Sequence, residues 1–197
     1  MIHQAVKPKA LQKGDTVAIV APSGVVREAS LNKGVKLLES LGLKVKVGRS
    51  VMNRWGYLAG RDEDRAKDLM DAWRDPDVKA VIAARGGYGA MRILPLLDYE
   101  CIREQPKILL GYSDITALHL AFWKEAGLVT FHGPVAEIWS DAMDPYNLEA
   151  LKQAIFGNWP PGFLTMPESY CDEGTESKES TRRRPIVVGK GVAEGPL

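Results

Sequence analysis

Ser113 is the side chain in this sequence best placed for covalent chemistry, because of what stands on either side of it. Ile108, Leu109 and Leu110 form an apolar run bounded by Pro106 and Gly111, which reads as a short strand buried on both faces. From Asp114 onward Ile115, Leu118 and Phe122 fall on one helical stripe, and Gly127 stands as its stop. The serine therefore lies on a tight strand-to-helix corner. There a hydroxyl projects above the sheet edge among the free N–H groups of the first helical turn, which can hold the oxyanion formed after attack on a carbonyl. The same residues also suit a purely structural corner: serine is a favoured N-cap, and Asp114 complements the helix dipole. Thr116 leaves no capping box, and Gly-Tyr-Ser-Asp-Ile lacks the second glycine of the usual nucleophile elbow.

An alcohol nucleophile needs a base within hydrogen-bond reach, and the chain holds three histidines. His3 lies in a segment that reads as a frayed terminus. His119 is six residues beyond Ser113, about 240° around and about 9 Å along the helix, so it faces away and reads as a satisfied buried or half-buried histidine. His132 ends the strand after the one that leads to Ser113, on the same sheet edge; from the residues alone it is the candidate base. A second chemical motif is Arg85-Gly86-Gly87-Tyr88-Gly89. Its bare backbone lets a substrate carbonyl approach and makes positive φ inexpensive, although a glycine turn can equally serve only to reverse the chain. The spacing is that of neither a dinucleotide nor a phosphate loop. Arg85 could pair with a substrate carboxylate or with a surface acid. Tyr88 is a further candidate for ligand contact, and Trp55 and Tyr57 either line the cleft or pack on neighbouring helices.

The remaining elements are those that must position these groups. Val17–Ala21 and Ala80–Ala84 are continuous apolar strands, ended by Pro22-Ser23-Gly24 and by the glycine turn. Leu43–Val47 alternates as a strand, and Leu128–Phe131 reads as a fifth. Helical spacing covers Ala29–Gly42, Arg61–Arg74 with a buried stripe of Ala66, Leu69, Met70 and Trp73, a short piece through Leu97, and Tyr146–Phe156. Strands alternating with helices, apolar on both faces, predict a parallel α/β sheet of flavodoxin-like type with helices on both sides. Ligands in such sheets bind beyond the carboxyl ends of the strands, where Ser23, residues 85–89 and Ser113 all fall. Residues 1–157 thus read as one α/β domain. Residues 158–185, rich in proline and charge, read as a linker or surface loop; residues 186–197, opened by the strand-like Pro185–Val188, read as the start of an incomplete second domain.

The composition excludes several functions. A net charge of +1 gives no electrostatic case for nucleic acid or an anionic membrane, and the basic Arg182–Arg184 cluster lies in a polar segment. Cys101 and Cys171 match no metal or redox spacing, so no metal and no cofactor is expected. The N-terminal residues lack an apolar leader core, and no stretch has the length of a membrane span. A soluble cytoplasmic protein is expected, and nothing in the sequence rules out a homodimer.

Taken together, the stretch from AGRDEDRAKDLM through RGGYG, then GYSD and FHGP, between about Val17 and Phe156, closely resembles the LD-carboxypeptidases, also called muramoyltetrapeptide carboxypeptidases. The resemblance implies a serine peptidase that removes the terminal D-alanine from the tetrapeptide stem of recycled cell-wall peptides in the cytoplasm. It implies Ser113 as nucleophile, with an oxyanion hole formed by the backbone N–H of Asp114 and one from Gly86–Gly87. Arg85, Tyr88 and His132 are then on the substrate side. In that family a glutamate and a histidine from a second domain complete the triad, in the order Ser, Glu, His, after a GxAxGxLxGGNL segment. This chain stops at GVAEGPL, so both are expected beyond residue 197 and the chain alone is expected to be nearly inactive. Two alternatives stand beside this reading: a hydrolase of peptidyl or aminoacyl nucleotides of the microcin self-immunity type, and a non-catalytic small-ligand domain.

Overall fold

A computed structural model describes residues 4–139 and 143–157. The linker over 158–185, the start of a second domain over 186–197, Cys171 and His3 lie outside the described residues. The described part is a parallel sheet of five strands: β1 (Thr16–Val20), β2 (Lys44–Val47), β3 (Val78–Ala83), β4 (Ile108–Gly111) and β5 (Phe131–His132). Their order is β2-β1-β3-β4-β5, the flavodoxin-like order. The three central strands are apolar because they are covered on both sides. Val17, Ile19, Ala80, Ile82, Ile108 and Leu110 pack to one face, against α1 (Glu28–Ser40) and α6 (Pro145–Ile155). Ala18, Val20, Val81, Ala83 and Leu109 pack to the other, against α2 (Asp62–Arg74), α3 (Ala90–Ile93), α4 (Tyr99–Glu104) and α5 (Thr116–Ala126). In that second layer Trp73 is fully buried and meets Phe122 edge-on at 5.2 Å.

β2 is an outer strand with little burial, and Lys44 and Lys46 occupy alternate positions along it. Two elements differ from the sequence reading. The strand expected over Leu128–Phe131 is displaced to Phe131–His132, because Leu128 makes an isolated parallel bridge with Val6 and only Phe131 and His132 pair with β4. Helix α4 was not foreseen: it is short, Asp98 caps it by accepting from Cys101 N–H at 3.0 Å, and Ile102 is its fully buried side chain. At the corner itself, β4 ends at Gly111 and a single 3-10 turn, Ser113–Ile115, leads into α5. Gly127 then ends α5 in the left-handed conformation, φ 67°, as the stop signal required.

Candidate active site

Four segments meet at the carboxyl end of the sheet: 22–24 after β1, 85–90 after β3, 111–114 after β4 and 132–137 after β5. The crevice between β1 and β3 is the topological switch point of this strand order, and it is bridged, since Gly24 N–H donates to Gly86 O at 3.0 Å. Contact there is too close for side chains. A Cβ on Gly24 would lie 2.9 Å from Gly86 O, and Gly87, at φ 117°, would place one 3.3 Å from Gly24 Cα. The bare backbone expected of the glycine turn is therefore used first to seat it against the β1 loop.

Ser113 stands on the other side of that turn. A Cβ built on Gly86 would be 3.1 Å from Ser113 Cβ and 3.4 Å from its Oγ. Ser113 is exposed, and among the non-glycine described residues it alone has positive φ, at 62°. That conformation costs an L-residue on the order of 1–2 kcal/mol. Ser113 is also not an N-cap: it lies inside the 3-10 turn, whose cap position is Tyr112. The structural account of the serine is thereby weakened, while the strained, outward corner required of a nucleophile is present.

Asp114 does more than complement a helix dipole. Its Oδ2 accepts from the hydroxyl of Ser23, which is fully buried, and from Ala90 N–H at 2.8 Å. Arg85 already has partners within the protein, although its side chain is exposed. Its guanidinium donates to Val25 O at 2.8 Å and lies 3.6 Å from Glu137, a carboxylate only 3% exposed that Arg27 also contacts at 2.7 Å. Glu137 was not singled out from sequence; it reaches the sheet edge because its own N–H donates to Ala84 O at 2.9 Å.

His132 pairs in register with Gly111, and its ring lies 6.4 Å from that of Tyr112 and 6.0 Å from that of His119. Among the described residues no hydrogen bond joins His132 to Ser113. His119 is buried as expected, but only half satisfied. Nε2 lies 2.9 Å from Gly111 O and so carries the proton of the neutral ring, whereas Nδ1 has no partner among the described residues. Burial, with a smaller contribution from nearby His132, holds its pKa below the usual histidine range. Tyr57 and Tyr88 form an exposed pair at 6.1 Å, and the Arg61 guanidinium lies 5.7 Å over Trp55. Trp55, Tyr57 and Tyr88 are exposed on their loops, and the Tyr88 hydroxyl reaches Met91 Sδ on α3 at 4.0 Å. Among the described residues no group of three or more His, Cys, Asp or Glu side chains is arranged for a metal, and no helix is long and apolar enough to cross a membrane.

Residues 17–133 match the family model described as the LD-carboxypeptidase N-terminal domain. The chain belongs to the LD-carboxypeptidase family. It is 48% identical over 149 residues to the probable murein peptide carboxypeptidase of Bacillus subtilis, covering 75% of this chain and 47% of that protein. It is 31% identical over 201 residues to the microcin C7 self-immunity protein MccF of Escherichia coli, covering 94% and 58%. The crystal structure of muramoyltetrapeptide carboxypeptidase from Oxalobacter formigenes superposes with a TM-score of 0.65 at 33% identity, covering 71% of this chain and 47% of that one. The chain thus spans about half the length of the first curated relatives it matches. The α/β architecture of the LD-carboxypeptidase structures is the one described above, and the Bacillus subtilis and Oxalobacter formigenes relatives are named as carboxypeptidases.

Proposed function

We propose that this chain is the nucleophile-bearing half of a cytoplasmic serine-type LD-carboxypeptidase acting on murein tetrapeptides. The observation that carries the proposal is the exposed Ser113, held at φ 62° in the first turn after β4 and packed against Gly86. In this reading Ser113 Oγ attacks the carbonyl that precedes the terminal D-alanine. The resulting oxyanion accepts from the N–H of Asp114 and from that of Gly87, which donates to no group among the described residues. In this reading the base and its orienting acid come from beyond residue 197; support comes from the lack of a hydrogen bond between His132 and Ser113 among the described residues and from the chain's spanning about half the length of its relatives. His132 and Tyr88 border the approach to the serine, whereas Arg85 orders the rim through Glu137. Residues 1–157 are the domain that carries this chemistry.

A second reading, hydrolysis of a peptidyl or aminoacyl nucleotide, is favoured by the 94% coverage in the match to the self-immunity protein. One experiment separates the two. The complete gene product is incubated with a murein tetrapeptide and, separately, with an aminoacyl sulfamoyl adenosine, and products are read by mass spectrometry. Release of D-alanine, abolished by Ser113→Ala, is the expected result. Turnover of the nucleotide conjugate alone favours the second reading, and full activity in Ser113→Ala overturns both.

A further inference from the structure

Two charged side chains, Arg65 fully buried and the carboxylate of Asp114 half-buried, grip the same two loops. Arg65, on α2, has a side chain with no solvent exposure. One of its terminal nitrogens donates to Pro22 O and to Gly89 O (3.0 Å), and the other to Asp62. Asp114 takes the groups that come next in each chain segment: the hydroxyl of Ser23 and the N–H of Ala90. The cation thus holds a carbonyl from each loop, and the anion holds a donor from each. These partners offset the full burial of the Arg65 charge and the partial burial of Asp114. Between the gripped points lies the Gly86–Gly87 turn, itself joined to the first loop by Gly24.

We infer that Arg65 and the carboxylate of Asp114 are a paired clamp that positions the Gly86–Gly87 turn and holds Ser113 in its left-handed conformation. The mechanical link is direct. Ser113 precedes Asp114, so a relaxation of Ser113 toward negative φ must swing the Asp114 peptide, and the anchored carboxylate opposes that swing. Ser23 is the far end of the same device and acts only through Asp114. All three side chains are positioning groups: none of them touches the reacting atoms, which Asp114 meets through its backbone N–H alone. The catalytic consequence rests on the proposed role of Ser113; the conformational one does not.

The test is a double-mutant cycle on the complete gene product, run well below each variant's Tm, with Ser113→Ala alongside. Asp114→Asn keeps an acceptor but loses the charge and is expected to lower kcat about 100-fold, the order of effect for a misplacement near 1 Å, with KM changed less than about twofold. Ser23→Ala is expected to lower kcat about tenfold, and the double variant to lose no more than Asp114→Asn alone. Arg65→Lys, which lacks the planar fork, is expected to behave like Ser23→Ala. Additive losses in the double variant, or unchanged kcat in Asp114→Asn, overturn the clamp. Full activity in Ser113→Ala instead overturns the peptidase reading. The clamp is then judged in the 197-residue chain by amide exchange: the Ala90 N–H should exchange at least about tenfold faster in Asp114→Asn, and unchanged protection refutes it. Should Asp114→Asn fail to fold, Ser23→Ala carries the same two readouts.

Discussion

The two ends of the sheet use charge differently. At the amino end Lys46 reaches Asp75 at 2.7 Å in solvent, and Lys107 lays its ammonium on the carbonyls of Ala72 and Asp75, where α2 finishes. Those contacts complete a helix terminus. At the carboxyl end Arg65, Asp114 and Glu137 are buried or half-buried, and what they hold is the backbone and side chains of loops. Charge at the amino end completes the terminus of a regular element; charge at the carboxyl end fixes groups that have no regular structure to fix them. Stability and activity should therefore separate along the strand direction.

The largest effect expected is at the serine. Ser113→Ala should remove activity by roughly 10⁴-fold or more while leaving Tm unchanged or slightly raised, since it deletes only an exposed hydroxyl. Gly87→Ala should strike both quantities, because φ 117° is foreign to alanine and the added Cβ meets Gly24. A loss of about 1–3 kcal/mol in denaturant unfolding, with kcat down by an order of magnitude or more, is expected. Lys107→Met tests the opposite end. It should destabilise by about 1–3 kcal/mol through the unpaired carbonyls at the end of α2, with kcat and KM intact; a kinetic defect there would erase the contrast between the two ends.

A pH titration refines the picture further. His119 has its pKa lowered by burial, so the unfolded chain takes up a proton that the folded one resists. Stability should be unaffected by this residue above its ordinary pKa of about 6.5, and should decline as pH falls below that value, levelling once the folded form also protonates. His119→Gln, which keeps a donor for Gly111 O, should flatten that decline in urea midpoints measured from pH 7 to pH 5. The smallest effect expected is at Lys46→Ala, where a solvated pair is lost and Tm should not move.

How much of this was legible in the sequence depends on the range of the interaction. VAIVA, AVIAA and ILL read as strands within a residue or two, because a strand covered on both faces has no polar side to blur it. The Ser113 corner was legible for the same local reason: strand, glycine, serine and helix are contiguous. Helix α4 was not, since six residues with Ile102 as the fully buried one present no period to detect. The fifth strand shifted because Val6, far away in sequence, captured Leu128. Arg65 was hidden inside a charged helix, where a buried arginine looks like its solvated neighbours. Asp114 read as a dipole partner because its true partner Ser23 is 91 residues away. Arg85 read as a partner either for a substrate carboxylate or for an acid of the protein, and the acid beside it, Glu137, could not be named because it arrives from another crossover.

The lysines on β2 have a consequence of their own. An outermost strand offers a row of unused peptide groups, an invitation to lateral polymerisation. Two copies meeting along this border would bring Lys44 against its counterpart and would have to accommodate Lys46, held by Asp75 and Asp77, both of which oppose such pairing. Replacing both by threonine should leave the sheet's architecture alone and lower the protein concentration at which light scattering first reports aggregation.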